Sequence, residues 1–299
     1  MFDTAPQLDC AGRVLRLDRT RVMGIVNVTP DSFSDGGAHR DVDAAVAHGL
    51  RLAEEGADLL DIGGQSTRPG ADEVPVEEEL RRVLPVIERL ARETALPVSV
   101  DTSRPEVMQA AVQAGAGMIN DVHALRREGA LDMAASLGVP VVLMHMLGEP
   151  RSMQDAPDYD DVVGDVHRFL AERIFVAEMA GIAKKRIVVD PGFGFGKSTQ
   201  HNLQLLARLE RFLELGVPVL AGLSRKRSIG ELTGRELPQA RVHGSVAAHL
   251  IAAQRGARIV RVHDVAATVD ALKLWQAVAE LPEPRKAAAA PEISWPDTV

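Results

Sequence analysis

Short apolar, β-branched runs alternate with amphipathic stretches along most of the chain. The runs fall at 22–28, 59–62, 98–100, 118–119, 141–144, 187–189, 219–223 and 259–262. Each is short and nearly continuous in its hydrophobicity, as expected of strands in a parallel sheet buried on both faces. Between them the period becomes helical. Val42, Ala45, Val46, Gly49, Leu50 and Ala53, for example, share one face of a helix. Six glycines (Gly56, Gly115, Gly138, Gly181, Gly216 and Gly256) stand a few residues before a strand, where a left-handed residue ends a helix and turns the chain. Eight such units predict right-handed βαβ crossovers and an α/β fold, and their number favours closure into a single (β/α)8 TIM barrel over an open doubly wound sheet. Residues 8–20 read as a hairpin turning at Cys10, Ala11 and Gly12, able to plug the bottom of the barrel. Residues 282–299, with Pro282, Pro284 and Pro291 around an alanine run, read as a flexible tail beyond a barrel domain over 1–281.

Composition narrows the function classes. With 46% hydrophobic and 25% charged residues over 299 positions, the chain can bury a core and is not disordered. A net charge of −8 and only 3% aromatic residues leave no global footprint for nucleic acid. Local cations can still hold a small anion. Cys10 is the single cysteine, which excludes a disulfide framework and a cysteine zinc site and fits a reducing compartment. No apolar run is long enough to span a bilayer, and the first residues lack the basic-then-apolar pattern of a secretory signal. The expected location is cytoplasmic, with no membrane partner.

The reactive groups of such barrels gather at the C-terminal ends of the strands, and here the apolar runs end in polar residues. They are Asn27; Asp61 with Gly63 and Gly64; Asp101; Asn120 and Asp121; His145; Asp190; Ser224, Arg225 and Lys226; and Arg261, His263 and Asp264. A single strand-end Asp is as readily a helix cap or a buried acceptor. Eight together form a ring that is costly unless ligands or mutual pairing satisfy it. The acceptors Asp101, Asp190 and Asn120 suit a heterocycle rich in N–H donors. The cations Lys226, Arg261, His263 and Arg68 suit phosphate or carboxylate. The loops 29–37 and 65–71 mix hydroxyls with glycines whose N–H groups can approach an oxyanion. Phe33, apolar within a polar loop, reads as a wall for an aromatic substrate. The stretch from Gly192 to Ser198 imitates a phosphate-binding P-loop, but Pro191 occupies the position of the first required glycine, so the match fails. His39, His48, His167 and His249 lack metal-ligand spacing and read as surface or core residues.

Taken together, these stretches resemble the dihydropteroate synthase family of pterin-binding barrels. The resemblance rests on Met23 through Gly37, Gly63 through Gly70, Ser99 to Thr102, Ile119 to Asp121, Leu143 to Met146, Asp190 through Lys197, Ser224 to Lys226 and Arg261 to Asp264, in family order. It implies a transferase that joins 6-hydroxymethyl-7,8-dihydropterin pyrophosphate to p-aminobenzoate, giving 7,8-dihydropteroate and pyrophosphate in folate synthesis. It puts the pterin against Asp101, Asn120, Asp190 and Lys226, with Met144, Gly222 and Arg261 around it. Pyrophosphate is expected on Asn27, Arg261, His263 and the loop with Thr67 and Arg68, and Mg2+ bridges to Asn27. The arylamine is expected among Phe33, Thr67, Pro69, Phe195, Ser224 and Lys226, a pocket that would also take sulfonamides. Asp101, Asp190, Lys226 and Arg261 are the expected catalytic residues, and a homodimer through barrel helices is implied. Gln65 departs from the Glu that many relatives carry.

Two other readings stay open. A pterin-dependent methyltransferase on a similar barrel would share Asp101, Asn120 and Asp190 but have no use for the first loop, Arg68 or Ser224–Lys226. A non-catalytic pterin-binding paralogue should have lost some member of the ring, and none is missing.

Overall fold

The computed structural model describes residues 6–28, 37–65, 74–148 and 157–281. The loops carrying Phe33 and carrying Thr67, Arg68 and Pro69, and the expected tail at 282–299, lie outside the described residues. A hairpin of β1 (Gln7–Cys10) and β2 (Arg13–Arg16) precedes the barrel. The barrel strands are β3 (Arg21–Asn27), β4 (Leu59–Gly63), β5 (Val98–Asp101), β6 (Met118–Asp121), β7 (Val141–Met144), β8 (Ile187–Asp190), β9 (Leu220–Ala221) and β10 (Ile259–Val262). The helices between and after them are α1 (Gly37–Glu54), α2 (Val76–Glu93), α3 (Pro105–Gln113), α4 (Ala130–Leu137), α5 (Val162–Met179), α6 (Thr199–Ala207), α7 (Arg227–Thr233), α8 (Val242–Gln254) and α9 (Val265–Ala279). All eight barrel strands are parallel, in the order β8-β7-β6-β5-β4-β3-β10-β9. A parallel bridge between Val189 and Val219 brings the two edges together, with the Val189 N–H donating to the Pro218 carbonyl at 3.0 Å. The architecture is therefore the (β/α)8 barrel that the alternation predicts. The seventh strand is shorter than the apolar run suggests, two residues against five.

The strands bury both faces, each for a different purpose. One parity packs outward under the helices: Val22, Val26, Leu60, Ile62, Val100, Ile119, Leu143, Val189 and Val260 join the main core. The opposite parity fills the barrel's lower interior. There Met23, Leu59, Met118, Val142, Val188, Leu220 and Ile259 pack with Leu8, Cys10, Leu15 and Leu17 of the hairpin. The predicted plug is therefore a shared apolar layer that seals the floor. Its turn places Ala11 at φ 53° and Gly12 at φ 86°, the pair of positive values that a tight two-residue hairpin needs. Gly117 lets it dock, because a Cβ there would overlap the Cys10 carbonyl. Burial raises the Cys10 thiol to about 12, so this cysteine is an unreactive core residue. All six helix-ending glycines take positive φ, from 69° at Gly216 to 111° at Gly115. No helix among the described residues is long and apolar enough to cross a membrane.

Candidate active site

Parity carries the site upward from the floor. Above the plugged positions most inward side chains become polar or small: Met23 and Ile25 lead to Asn27, Leu59 to Asp61 and Gly63, Met118 to Asn120, Val188 to Asp190, and Ile259 to Arg261, while Val142 leads to the apolar Met144. Ladder register aligns them. Asn27 stands opposite Gly63, Gly63 opposite Asp101 and Asp101 opposite Asn120. Farther round, Met144 stands opposite Asp190. The apolar floor below leaves the upper interior, among the described residues, as the place where these polar groups can meet a ligand.

A charge network spans this space. The Arg261 Nε donates to Asp61 Oδ2 at 2.6 Å, and one terminal nitrogen donates to Asp101 Oδ2 at 2.7 Å. The Asn120 amide nitrogen also donates to Asp61 Oδ2, at 3.0 Å. With its nitrogen so used, Asn120 keeps its carbonyl oxygen as an acceptor for a ligand. Asp61 is fully buried, and its Oδ1 has no hydrogen-bond partner among the described residues. Asp61 is the site-lining residue that the strand-end pattern alone does not single out. It was visible as a strand-end carboxylate, but only the fold gives it the role of orienting Arg261 and Asn120 together. The two-residue offset from Leu59, an inward floor position, is the signal that marks it.

Burial dominates the protonation of the other groups. It raises Asp101 to about 7 against the pull of Arg261, with Asp61 adding to the rise. It raises Asp190 to about 6, against the Gly192 N–H and the nearby Lys226. The same dehydration, helped by Arg261, lowers Lys226 to about 8 although Asp190 and Asp101 oppose it. Asp190 Oδ1 accepts the Gly192 N–H at 2.7 Å. Lys226 lies over the Phe195 ring with its Nζ 4.2 Å from the centroid, a cation–π contact. Phe195 packs with Val122, Met144 and Met146 as an apolar wall beside these charges. A pocket with acceptors on one side, cations on another and an apolar wall suits a flat, polar heterocycle carrying an anion.

Some strand-end residues are turned away from this pocket. Asp121 has the outward parity. Its carboxylate accepts from the Ser103 hydroxyl and from the N–H groups of His123 and Leu125, holding the loop in which Ala124 and Leu125 take positive φ. His145 faces Lys197. Arg225, at φ 56°, sends its guanidinium to both oxygens of Asp264 at 3.0 and 2.6 Å. That pair ties the loop after β9 to the loop after β10 while Lys226 and His263 stay near the mouth. Ser224 Oγ accepts the His263 N–H at 3.0 Å and lies 2.9 Å from its Nδ1, so these two residues position each other. Gly222 leaves room beside Asp190, since a Cβ there would sit 3.8 Å from its Oδ2. His249 is a core residue whose Nε2 accepts the Leu223 N–H at 3.1 Å.

The pterin binding enzyme family model matches residues 23–263. Dihydropteroate synthase of Escherichia coli is 50% identical over 280 residues, which cover 94% of this chain and 99% of that protein. A Xanthomonas albilineans dihydropteroate synthase solved with 4-aminobenzoic acid superposes with a TM-score of 0.90 at 77% identity, covering 93% of this chain and all of that one. The same enzyme solved in complex with 7,8-dihydropteroate matches at a TM-score of 0.85 and 74% identity, with the same coverage. The chain belongs to the pterin binding enzyme family. Within that family, sequence and fold alike group it with the dihydropteroate synthases.

Proposed function

We propose that this chain catalyses the condensation of 6-hydroxymethyl-7,8-dihydropterin pyrophosphate with p-aminobenzoate, releasing pyrophosphate. The observation that carries the reading is the inward row of Asp101, Asn120 and Asp190 facing Arg261 and Lys226 above a sealed floor. Relatives solved with 4-aminobenzoic acid and with 7,8-dihydropteroate support it. In this reading the pterin's ring N–H and amino groups donate to Asp101, Asn120 and Asp190. Met144, Gly222 and Lys226 complete that pocket. Asn27, Arg261, His263, Thr67 and Arg68 take the pyrophosphate. The arylamine lies among Phe33, Thr67, Pro69, Phe195, Ser224 and Lys226.

Displacement at the pterin methylene proceeds with pyrophosphate leaving ahead of strong bonding to the amine. Asp101 and Asp190 act as fixed negative charges beside the developing cation, and Arg261 and His263 receive the leaving group's charge. The arylamine is already neutral at pH 7, so neither carboxylate needs to serve as a base. The hard oxygen donor at the mouth is compatible with magnesium, which would be held there together with the substrate. Asn27 offers one neutral oxygen at the mouth. Such an ion would keep most of its waters and would be held chiefly by the substrate phosphates, with Asn27 as its one protein oxygen. When bound, it supplies positive charge to the pyrophosphate. We further infer a cytosolic homodimer. Exposed Leu274 and Val278 on α9 and Ile251 on α8 supply apolar helix surface for the contact.

The test is pyrophosphate release by the purified protein with the pterin pyrophosphate and magnesium, with and without p-aminobenzoate. Release that needs p-aminobenzoate and is blocked by a sulfonamide is the expected result. Tight pterin binding by calorimetry with no release would overturn it in favour of a binding protein or a methyltransferase.

A further inference from the structure

The P-loop look-alike, set aside above for its missing glycine, has a lysine that the proposed chemistry does not use. Lys197 does not reach toward the mouth. It is buried, and its Nζ lies 2.9 Å from the Phe195 carbonyl, 3.3 Å from the His145 carbonyl and 2.9 Å from His145 Nδ1. Burial brings the Lys197 ammonium down to about 7 against the attraction of Asp190, and its hydrogens meet three neutral acceptors with no carboxylate among them. Burial and the Lys197 charge lower His145 to about 2, so the imidazole is neutral and its Nδ1 can accept. Burying an ammonium is costly, and this one is held in place by complete hydrogen bonding rather than by an ion pair.

Those bonds fasten one segment. The Phe195 N–H donates to the Gly192 carbonyl at 3.1 Å, and the Phe195 carbonyl accepts from Lys197. The backbone on either side lies directly on the chain after β7. A Cβ at Gly192 would overlap the His145 carbonyl, and one at Gly196 would sit 2.6 Å from the Leu147 carbonyl. Tyr159 donates to the Gly196 carbonyl at 2.8 Å, and Asn202 accepts the Gly194 N–H at 2.7 Å. What this clamp positions is the Phe195 ring, seated on Lys226 and packed with Val122, Met144 and Met146.

We propose that Lys197 is a positioning residue. Through the Phe195 carbonyl and His145, it fixes the Phe195 ring, and with it the arylamine side of the pocket, against the end of β7. The consequence for kinetics rests on the function proposed above, whereas the consequence for the loop does not. Lys197→Met keeps the apolar stem of the side chain, ends one atom short of the ammonium and leaves the three acceptors without a donor. Amide hydrogen exchange at 195–197, measured without substrates, should quicken about tenfold or more in this variant, while the β3–β6 half keeps its protection. In steady state, KM for p-aminobenzoate should rise about tenfold, while kcat and KM for the pterin pyrophosphate change less than about threefold. His145→Leu removes one acceptor only and should move the same two readouts in the same direction by a smaller factor. It decides the matter if Lys197→Met does not fold. Parent-like exchange at 195–197 and a parent-like KM for p-aminobenzoate in the folded variant overturn the proposal. So does a loss shared equally by both substrates, the mark of general unfolding. An inactive parent protein would count against the proposed function alone, and the exchange data would still decide the role of Lys197.

Discussion

Asp190→Asn separates activity from stability in a way the geometry makes quantitative. The substitution keeps a side-chain oxygen for the Gly192 N–H, held at 2.7 Å in the parent, and removes one negative charge from the pocket. If Asp190 stabilises charge on the pterin, kcat should fall about 10²- to 10³-fold, the range for loss of one such electrostatic group. Stability should move the other way. Burial raises this carboxyl from 3.8 to about 6. Between those values the folded chain holds a proton that the unfolded chain has released, so stability falls as pH rises through that window. Above about pH 6 the full cost, roughly 3 kcal/mol, is present. Asn cannot ionise and escapes it. The variant should therefore unfold on the order of 5 °C above the parent at pH 7.5. The gain should shrink to about 1 kcal/mol near pH 4.5, where the parent's carboxyl is largely protonated in the folded state. Pyrophosphate release at saturating substrates and thermal unfolding at the two pH values measure both effects. A near-parent kcat would refute the electrostatic role. A stability gain that is absent, or equal at both pH values, would refute the reasoning from burial.

Other consequences are as direct. Arg261→Ala should weaken pyrophosphate binding in calorimetry. It should also lose about 3–5 kcal/mol in urea unfolding, because Asp61 is left buried without its cation; an unchanged midpoint would contradict that pairing. The pH profile of kcat/KM should rise between pH 6 and 7 as Asp190 and Asp101 release protons, and fall near pH 8 as Lys226 does. A flat profile over that range would count against the assigned roles. Gly117→Ala should cost about 1–3 kcal/mol by forcing the plug off the barrel floor. Its kcat should stay near the parent's, since the floor lies below the site. Phe33→Ala should raise KM for p-aminobenzoate while leaving pterin affinity, read by calorimetry, in place.

The strand–helix alternation, the six helix-ending glycines and the plugging hairpin were all legible along the chain, because they are local. A strand's hydrophobicity, a helix's period and a glycine's tolerance of positive φ each need only a few neighbouring residues to be expressed. The polar strand ends were legible for the same reason, and with them most of the candidate site: Asp101, Asn120, Asp190, Lys226 and Arg261 come together at the C-terminal ends of the strands.

What the chain alone left undecided was direction. Strands buried on both faces carry no alternation to say which side is the interior, so hydropathy gave no reason to favour Asn120 over Asp121; the choice of Asn120 rested on its chemistry and on the family resemblance, and the floor layer supplies the parity. That layer sends Asn120 into the pocket and Asp121 out to brace a loop. It also turns Asp61 from one strand-end acid among several into the anchor shared by Arg261 and Asn120, residues 200 and 59 positions away. Lys197 shows the same limit from the other side. Its neighbours suggest a phosphate loop, and only the packing of Gly192 and Gly196 onto the chain after β7 sends its ammonium inward to His145. Sequence determined which elements form and which residues end them. Closure of the barrel decided which of those residues meet, because pairing across the interior depends on register and parity around a whole ring and not on any stretch of it.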